Sequence, residues 1–235
     1  MQLSQVFKTP WSLSEADESR INEVFTHLRA RYQGYQDPWG LNLDACEKTL
    51  RRVLPLYRHY FKVRVFGKEN VQDRPYIVTS NHSGQLPIDG MLLNIAFAMD
   101  ISPPRILRAM VERFMAQLPF LGEYAAQSGA ILGDRANCQY LLDNHESILV
   151  FPEGVEMFPL VWQAKALAKA LRIPALPISA NYIPLPSPID IHIGKPIEVP
   201  IDLSPDAPEK DIKEQVMIVE GQVKKLLSEG LKERR

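Results

Sequence analysis

The stretch Tyr76-Ile-Val-Thr-Ser-Asn-His-Ser-Gly-Gln-Leu-Pro-Ile-Asp-Gly90 decides how the chain folds around a chemical site. Its first three residues are strand formers, and the polar, flexible run after them cannot continue a buried strand. An apolar helical run, Met91 to Met99, comes next. The stretch therefore predicts a buried strand, a short loop and a helix start, with His82 and Asp89 at the two ends of the loop.

The position of His82 is typical of a ligand-binding or catalytic residue, because ligands usually bind at the carboxyl ends of strands in open α/β sheets. A neutral imidazole takes a proton from an alcohol near physiological pH when a second group fixes its tautomer and stabilises the imidazolium. Asp89 is the nearest carboxylate able to do this. The alternative is that His82 caps the helix or bonds backbone, and that Asp89 is an ordinary residue of the first helical turn.

Length and composition limit the classes of protein to consider. The 235-residue chain is 46% hydrophobic and 23% charged with a formal net charge of −1, which is typical of a folded protein and gives no electrostatic reason to expect nucleic acid. Cys46 and Cys138 lack metal-ligand spacing, so neither a disulfide framework nor a structural zinc site is expected. The N-terminus lacks a signal-peptide core, and no window reaches the roughly 20 apolar residues that span a bilayer. Any membrane contact is therefore expected to be peripheral.

Two amphipathic helices are expected before this stretch, and we assign residues 1–62 to an N-terminal helical segment and residues 63–235 to an α/β domain. Ser14 begins the first helix in a capping-box-like pattern, and the helix is expected to end near Gly34. The second helix is expected from about Leu43 to Tyr60. The apolar face predicted for the first helix consists of Ile21, Val24, Phe25 and Leu28.

Aromatic rings alternate with cations where the second helix ends, from Tyr57 to Val65. This composition is typical of a membrane-interface anchor, in which the rings lie at headgroup depth and the cations meet anionic lipid. It is equally typical of a core helix whose Lys and Arg side chains reach water along their stems. Both interpretations stay open at the level of sequence.

Strands and helices alternate from residue 63 to residue 151, which predicts an α/β fold with a central, largely parallel sheet flanked by helices. A late strand, Ile189 to Ile193, and a final helix, about Glu209 to Leu227, follow. Polar clusters come directly after three of the strands, and parallel strands have their carboxyl ends on one side of a sheet. We therefore expect the clusters to converge. They are Asn81/His82/Asp89, Asp134/Arg135/Asn137 and Pro152-Glu153-Gly154.

In this order the clusters resemble the glycerolipid acyltransferase family, the lysophosphatidic acid acyltransferase-like enzymes. The resembling residues are Asn81-His82 with Asp89, Gly129 to Arg135, and Phe151-Pro152-Glu153-Gly154. The likeness covers roughly residues 37 to 200 and is greatest to a bacterial branch with an Asn-His-Ser-Gly-Gln-Leu-Pro-x-Asp-Gly loop. Phe-Pro-Glu-Gly alone is a weak signal, but its place after the His/Asp block makes it specific.

The resemblance implies transfer of a fatty acyl group from acyl-CoA or acyl carrier protein to a hydroxyl of a lysophospholipid or related acceptor, by a peripheral protein on the cytoplasmic face of a membrane. His82 would be the general base and Asp89 would orient it. Arg135 would hold an anionic head group with two parallel donors. No metal or cofactor is implied, because the thioester is already activated. The substrate-binding residues that the resemblance implies are Asn81, Ser83, Gly84, Arg135, Glu153 and Gly154.

The sequence departs from the family pattern in two places. The family usually places fewer residues between the histidine and the aspartate than the six that separate His82 from Asp89. Val155 is followed directly by residues that normally come after a further segment, so we expect a domain shortened after residue 155, with sheet edge exposed.

Two other functions remain open. One is a lipid-binding, acyltransferase-like protein in which the shortened core has abolished turnover. The other is a serine hydrolase with Ser83 as nucleophile, although the chain has no Gly-x-Ser-x-Gly elbow.

Overall fold

The computed structural model describes residues 12–82, 88–113, 121–152, 186–198 and 208–234. Its helices are α1 (Glu15–Arg31), α2 (Leu43–Pro55), α3 (Ile88–Met99), α4 (Leu121–Gln127), α5 (Arg135–Asp143) and α6 (Glu209–Glu233). Its strands are β1 (Arg64–Phe66), β2 (Ile77–Thr79), β3 (Leu107–Val111), β4 (Ile131–Leu132), β5 (Ser147–Val150) and β6 (Asp190–His192). A π-helical turn, Leu56–Tyr60, continues α2, and a 3-10 helix, Lys68–Asn70, follows β1.

Four strands form a parallel sheet in the order β2-β5-β3-β4, and β1 pairs with β6 in parallel as a second sheet. Thr79 of β2 lies opposite Val150 of β5, and Arg108 of β3 lies opposite Ile148 of β5. The carboxyl ends of these strands therefore lie on one side of the sheet. This architecture confirms the predicted α/β class with a largely parallel sheet flanked by helices.

Strand β2 differs from its prediction as a buried strand. In the described part of the sheet β2 is an edge strand that pairs with β5, and Ile77 is 57% exposed. A strand at the edge of a sheet leaves one row of its backbone groups without a ladder partner. Local sequence could not reveal this, because strand order depends on residues far away in the chain.

The N-terminal helices form as the sequence predicts. The Ser14 hydroxyl accepts a hydrogen bond from the Asp17 amide at 3.0 Å, which caps α1, and α1 ends at Arg31, slightly before the expected end. The apolar face of α1 packs in one cluster with Leu54 of α2 and Leu92 of α3. Since this cluster contains residues from both sides of position 62, the division at that position stays a prediction. The buried residues of α1 are Ile21, Val24, Phe25 and Leu28, as predicted.

The aromatic residues at the end of α2 belong largely to this helical core. Tyr57 is fully buried and Phe61 is 3% exposed. The Tyr57 hydroxyl donates a hydrogen bond to Asp100 at the end of α3, with 2.5 Å between the oxygens. These two rings therefore belong to the helical core and do not form a membrane-interface anchor. No helix in the described ranges is both long enough and apolar enough to cross a membrane.

A buried ion pair joins the loop after α1 to the sheet. Arg108 is fully buried in β3, and its Nη2 donates to Asp37 Oδ2 at 2.6 Å while its Nε donates to the Gly129 carbonyl at 3.0 Å. The other oxygen of Asp37 accepts from the amides of Trp39 and Leu41. One carboxylate thus shapes the turn around Pro38 and Gly40 and joins it to β3.

Glu146 forms a second link between the same layers. It is 4% exposed, and its Oε2 accepts a hydrogen bond from the Tyr32 hydroxyl at 2.7 Å. Burial raises the pKa of the Glu146 carboxyl, although the Tyr32 hydrogen bond and the charges of Arg108 and Arg31 act in the opposite direction. Because the folded-state pKa lies above the ordinary value, this group stabilises the fold at low pH. That contribution is lost as the pH rises from the ordinary pKa through the raised one.

We expect Glu146→Gln to raise the melting temperature at neutral pH, because the amide still accepts the Tyr32 hydrogen bond and carries no buried charge. The difference from the parent should shrink as the pH falls to about 4.5, the ordinary pKa of the group. Thermal unfolding of both proteins across this range measures the effect, with Glu69→Gln at an exposed site as the control. A parent more stable than Glu146→Gln at neutral pH would contradict the assignment.

Helix α6 extends a few residues beyond its predicted end and docks on β6 near its C-terminus. The His192 ring stacks on Phe66 with centroids 4.7 Å apart, and it also lies against Gly230 of α6. A Cβ atom at residue 230 would lie 2.8 Å from Nε2 of His192. Space around Gly221, on the same helix, is open. A side chain larger than glycine at position 230 would therefore displace the His192 ring.

Alanine substitutions at these two glycines should have opposite effects. Gly221→Ala should stabilise the protein by about 0.5–1 kcal/mol through helix propensity alone. Gly230→Ala should lower the melting temperature and speed amide hydrogen exchange in α6, because its methyl group displaces the stacked His192 ring. Equal gains in stability from both substitutions would show that α6 does not dock through this contact.

Candidate active site

His82 and Asp89 are in direct contact. Nδ1 of His82 lies 2.7 Å from Oδ2 of Asp89, and the two side chains are 11% and 21% exposed. The other oxygen of Asp89 accepts the Gly90 amide at 2.8 Å. Asp89 is thus both a first-turn residue of α3 and the partner of His82. When Nδ1 donates to this carboxylate, Nε2 is the ring nitrogen that can take a proton.

Different parts of the fold hold the two members of this pair. His82 comes three residues after β2, and the Ser80 amide still bonds to the Val150 carbonyl of β5 at 3.2 Å. Asp89 belongs to α3, which Asn94 joins to β3. The Asn94 amide group donates to the Leu107 carbonyl at 2.9 Å, and its oxygen accepts the Leu107 amide at 3.1 Å. The pair therefore meets although six residues separate its members in sequence.

A cavity of about 1150 Å³ lies beside the pair, between the two sheets and α6. Ile77, Leu93 and Val223 contribute to its largely apolar wall. Asn81 and Asp89 also line it, so the cavity reaches the carboxylate of the pair. In the parts of the chain that the structure describes, there is no group of three or more His, Cys, Asp or Glu side chains suited to a metal ion.

The second polar cluster lies at the same side of the sheet but at the opposite edge. Strands β5 and β3 lie between β2 and β4, so roughly 14 Å of sheet separates the ends of β2 and β4. Asp134 caps α5 by accepting the Asn137 amide at 2.8 Å, which gives these two residues a structural role. Arg135 is exposed at the first position of α5. The first and second polar clusters therefore lie on the same side of the sheet, as predicted, but they are not in direct contact.

Next to the third polar cluster, Phe151 contacts the site, although no role was predicted for it from the sequence. The ring of Phe151 lies against the His82 imidazole, with centroids 4.9 Å apart. Its signal in the sequence is its position directly after the buried strand β5. Glu153 and Gly154, together with Ser83 and Gly84, lie outside the described residues, so their substrate-binding roles stay predictions.

A further cation was also missed by sequence reasoning. Arg113 is exposed two residues beyond the end of β3, which lies between β5 and β4. Two strand spacings, roughly 10 Å, separate the end of β3 from that of β2. A single arginine followed by an apolar stretch carries no recognisable sequence signal, and only the strand order reveals its position.

The model of the protein family described as Acyltransferase matches residues 62–180. Uncharacterized proteins of Mycobacterium bovis and Mycobacterium tuberculosis are each 28% identical to the chain over 230 residues, which cover 75% of this chain and 64% of theirs. A 1-acyl-sn-glycerol-3-phosphate acyltransferase of Saccharomyces cerevisiae is 31% identical over 134 residues, covering 49% of this chain and 42% of its own. No solved structure matches the chain.

The chain thus spans about 64% of the length of its mycobacterial relatives. The same alignment is 230 residues long, whereas 75% of this 235-residue chain is about 176 residues. It therefore includes positions for which this chain has no residue. The location predicted for the shortening, after residue 155, lies outside the described residues and stays a prediction.

Proposed function

Because the chain belongs to the acyltransferase family, we propose that it transfers a fatty acyl group from an acyl thioester to a hydroxyl of a lysophospholipid or related glycerol-type acceptor. The observation that carries this proposal is the 2.7 Å contact between His82 Nδ1 and Asp89 Oδ2 at the carboxyl end of β2. A partial relative named as a 1-acyl-sn-glycerol-3-phosphate acyltransferase supports the choice of acceptor class.

In the proposed reaction, Nε2 of His82 takes the proton of the acceptor hydroxyl as its oxygen attacks the thioester carbonyl carbon. The Asp89 carboxylate keeps the imidazole in the required tautomer and stabilises the imidazolium that forms. Collapse of the tetrahedral intermediate breaks the carbon–sulfur bond. The leaving thiolate then takes the proton from His82, so the products are an ester and a free thiol, and the base is restored.

The cavity beside the pair is the proposed location of the fatty acyl chain. Burying an apolar chain gains about 0.8 kcal/mol for each CH₂ group removed from water. The wall residues Ile77, Leu93 and Val223 supply apolar surface for this purpose. Because the cavity reaches Asp89, a chain lying in it would have its carbonyl end near the proposed base.

An anionic acceptor needs a cation on the same side of the sheet. Arg135 has the role that the resemblance implies, and Arg113 is a second candidate that lies nearer to His82 along the sheet. Both side chains are exposed. A guanidinium suits a phosphate because two of its N–H groups donate in parallel.

The proposed acceptors are lipids, so we also propose that the protein works at a membrane surface as a peripheral protein on the cytoplasmic face. Tyr57 and Phe61 are buried and do not supply the contact in this structure. The proposed membrane contact therefore involves other residues of the chain.

We expect His82→Ala to lower acceptor-dependent thioester consumption by roughly 10²–10⁴-fold, the usual contribution of a general base. Asp89→Asn should cause a loss of similar order, because the amide favours the wrong tautomer. The assay follows thiol release from acyl-CoA with and without lysophosphatidic acid in vesicles. His59→Ala, at an exposed imidazole outside the site, should retain activity.

Two outcomes of this assay would contradict the proposal. Thioester consumption that needs no acceptor and disappears in Ser83→Ala would indicate a serine hydrolase. Vesicle binding without any thiol release, with acyl-CoA and with acyl carrier protein, would indicate a lipid-binding protein.

Substitution of the two arginines should identify the cation that holds the acceptor. If a phosphate is bound, Arg113→Gln or Arg135→Gln should reduce kcat/KM roughly tenfold or more for lysophosphatidic acid and much less for monoacylglycerol. Arg52→Gln, at an exposed cation on α2, serves as the control. Equal losses for both acceptors would argue against a phosphate contact at the substituted position.

A further inference from the structure

The ring of Phe151 contacts His82 and lies beside Gly90, the residue that follows Asp89. It lies against the His82 imidazole with centroids 4.9 Å apart and planes tilted by 47°. It also lies beside Gly90, where a Cβ atom would be 3.5 Å from Cε2 of Phe151. We propose that Phe151 is a positioning residue, which holds the imidazole in the orientation where Nδ1 meets Asp89. Its catalytic consequence rests on the proposed function.

The sheet determines where this ring lies. Phe151 comes directly after Val150, the last residue of β5, and Val150 is paired with Thr79 of β2. The Val150 carbonyl also accepts the Ser80 amide at 3.2 Å. The backbone that leads to Phe151 is therefore hydrogen-bonded to the backbone that leads to His82, as far along the two segments as Val150 and Ser80. A shift of one of these backbones relative to the other would break these hydrogen bonds.

Apolar packing supports the ring from behind. Phe151 is half-buried against a cluster that contains Leu93 of α3, Leu107 of β3 and Leu149 of β5. The cluster thus links the helix that carries Asp89 with the central strands. An aromatic ring in such a setting has little rotational freedom, because protein interiors are densely packed. Phe151 is consequently a rigid surface for the imidazole.

The Phe151 contact acts together with the Asp89 hydrogen bond in orienting the imidazole. With the ring centroids 4.9 Å apart, the Phe151 ring blocks rotation of the imidazole towards it. Phe151 thereby directs Nε2, the nitrogen that takes the proton in the proposed reaction. A misplacement of about 1 Å at such a site can cost a hundredfold in rate.

Replacement of the ring by a branched aliphatic side chain tests this role. In Phe151→Leu we expect kcat to fall by about tenfold to a hundredfold with little change in the KM of the acceptor. We also expect the Nδ1 proton signal of His82 to broaden or vanish in isotope-edited NMR of the histidine side chains, where His82→Ala assigns the signal. Phe25→Leu, which removes a buried ring in the helical core, should reduce stability and leave both readouts unchanged.

The NMR measurement separates this inference from the proposed function. If the parent lacks transferase activity but the His82 signal still depends on Phe151, the positioning role stands and the proposed function fails. If Phe151→Leu keeps both the parent signal and the parent kcat, the inference is overturned. Equal changes in Phe151→Leu and Phe25→Leu would also overturn it, because they would reflect a general loss of stability.

Discussion

The parallel pairing of β2 with β5 is the constraint on which the site depends. It joins two segments about seventy residues apart and brings the His82 loop beside Phe151. Each of these strands is short, so the pairing is stabilised by what surrounds it, namely the apolar cluster around Leu149 and Leu107. Parallel strands also align their carboxyl ends, which is why polar loops that follow different strands share one side of the sheet.

The N-terminal helices hold this sheet at its other end. Two contacts connect the region after α1 with the amino ends of strands. The Asp37–Arg108 ion pair reaches the start of β3, and the Tyr32–Glu146 hydrogen bond reaches the residue before β5. Buried charged groups of this kind are costly to leave unpaired, so they define how the layers fit together. The helical layer therefore stabilises the sheet from the side opposite to the candidate active site.

Local patterns predicted much of the fold and part of the site. The buried face of α1 follows from helical periodicity, and the strand–loop–helix order around His82 follows from composition. The His82–Asp89 contact could be proposed because both residues flank one loop. The edge position of β2, the distance of Arg135 and the contact of Phe151 with His82 could not, since each depends on the strand order β2-β5-β3-β4. Strand order arises from pairings between distant segments, which periodicity does not encode.

Asn94 has a consequence for how this site can vary. It joins α3 to β3 through both backbone groups of Leu107, so the helix that carries Asp89 is attached directly to the central sheet. The histidine and the carboxylate are thus held by different elements, β2 and α3. Their contact depends on how α3 packs against the sheet, so the number of residues between them in sequence is a poor guide to whether they meet.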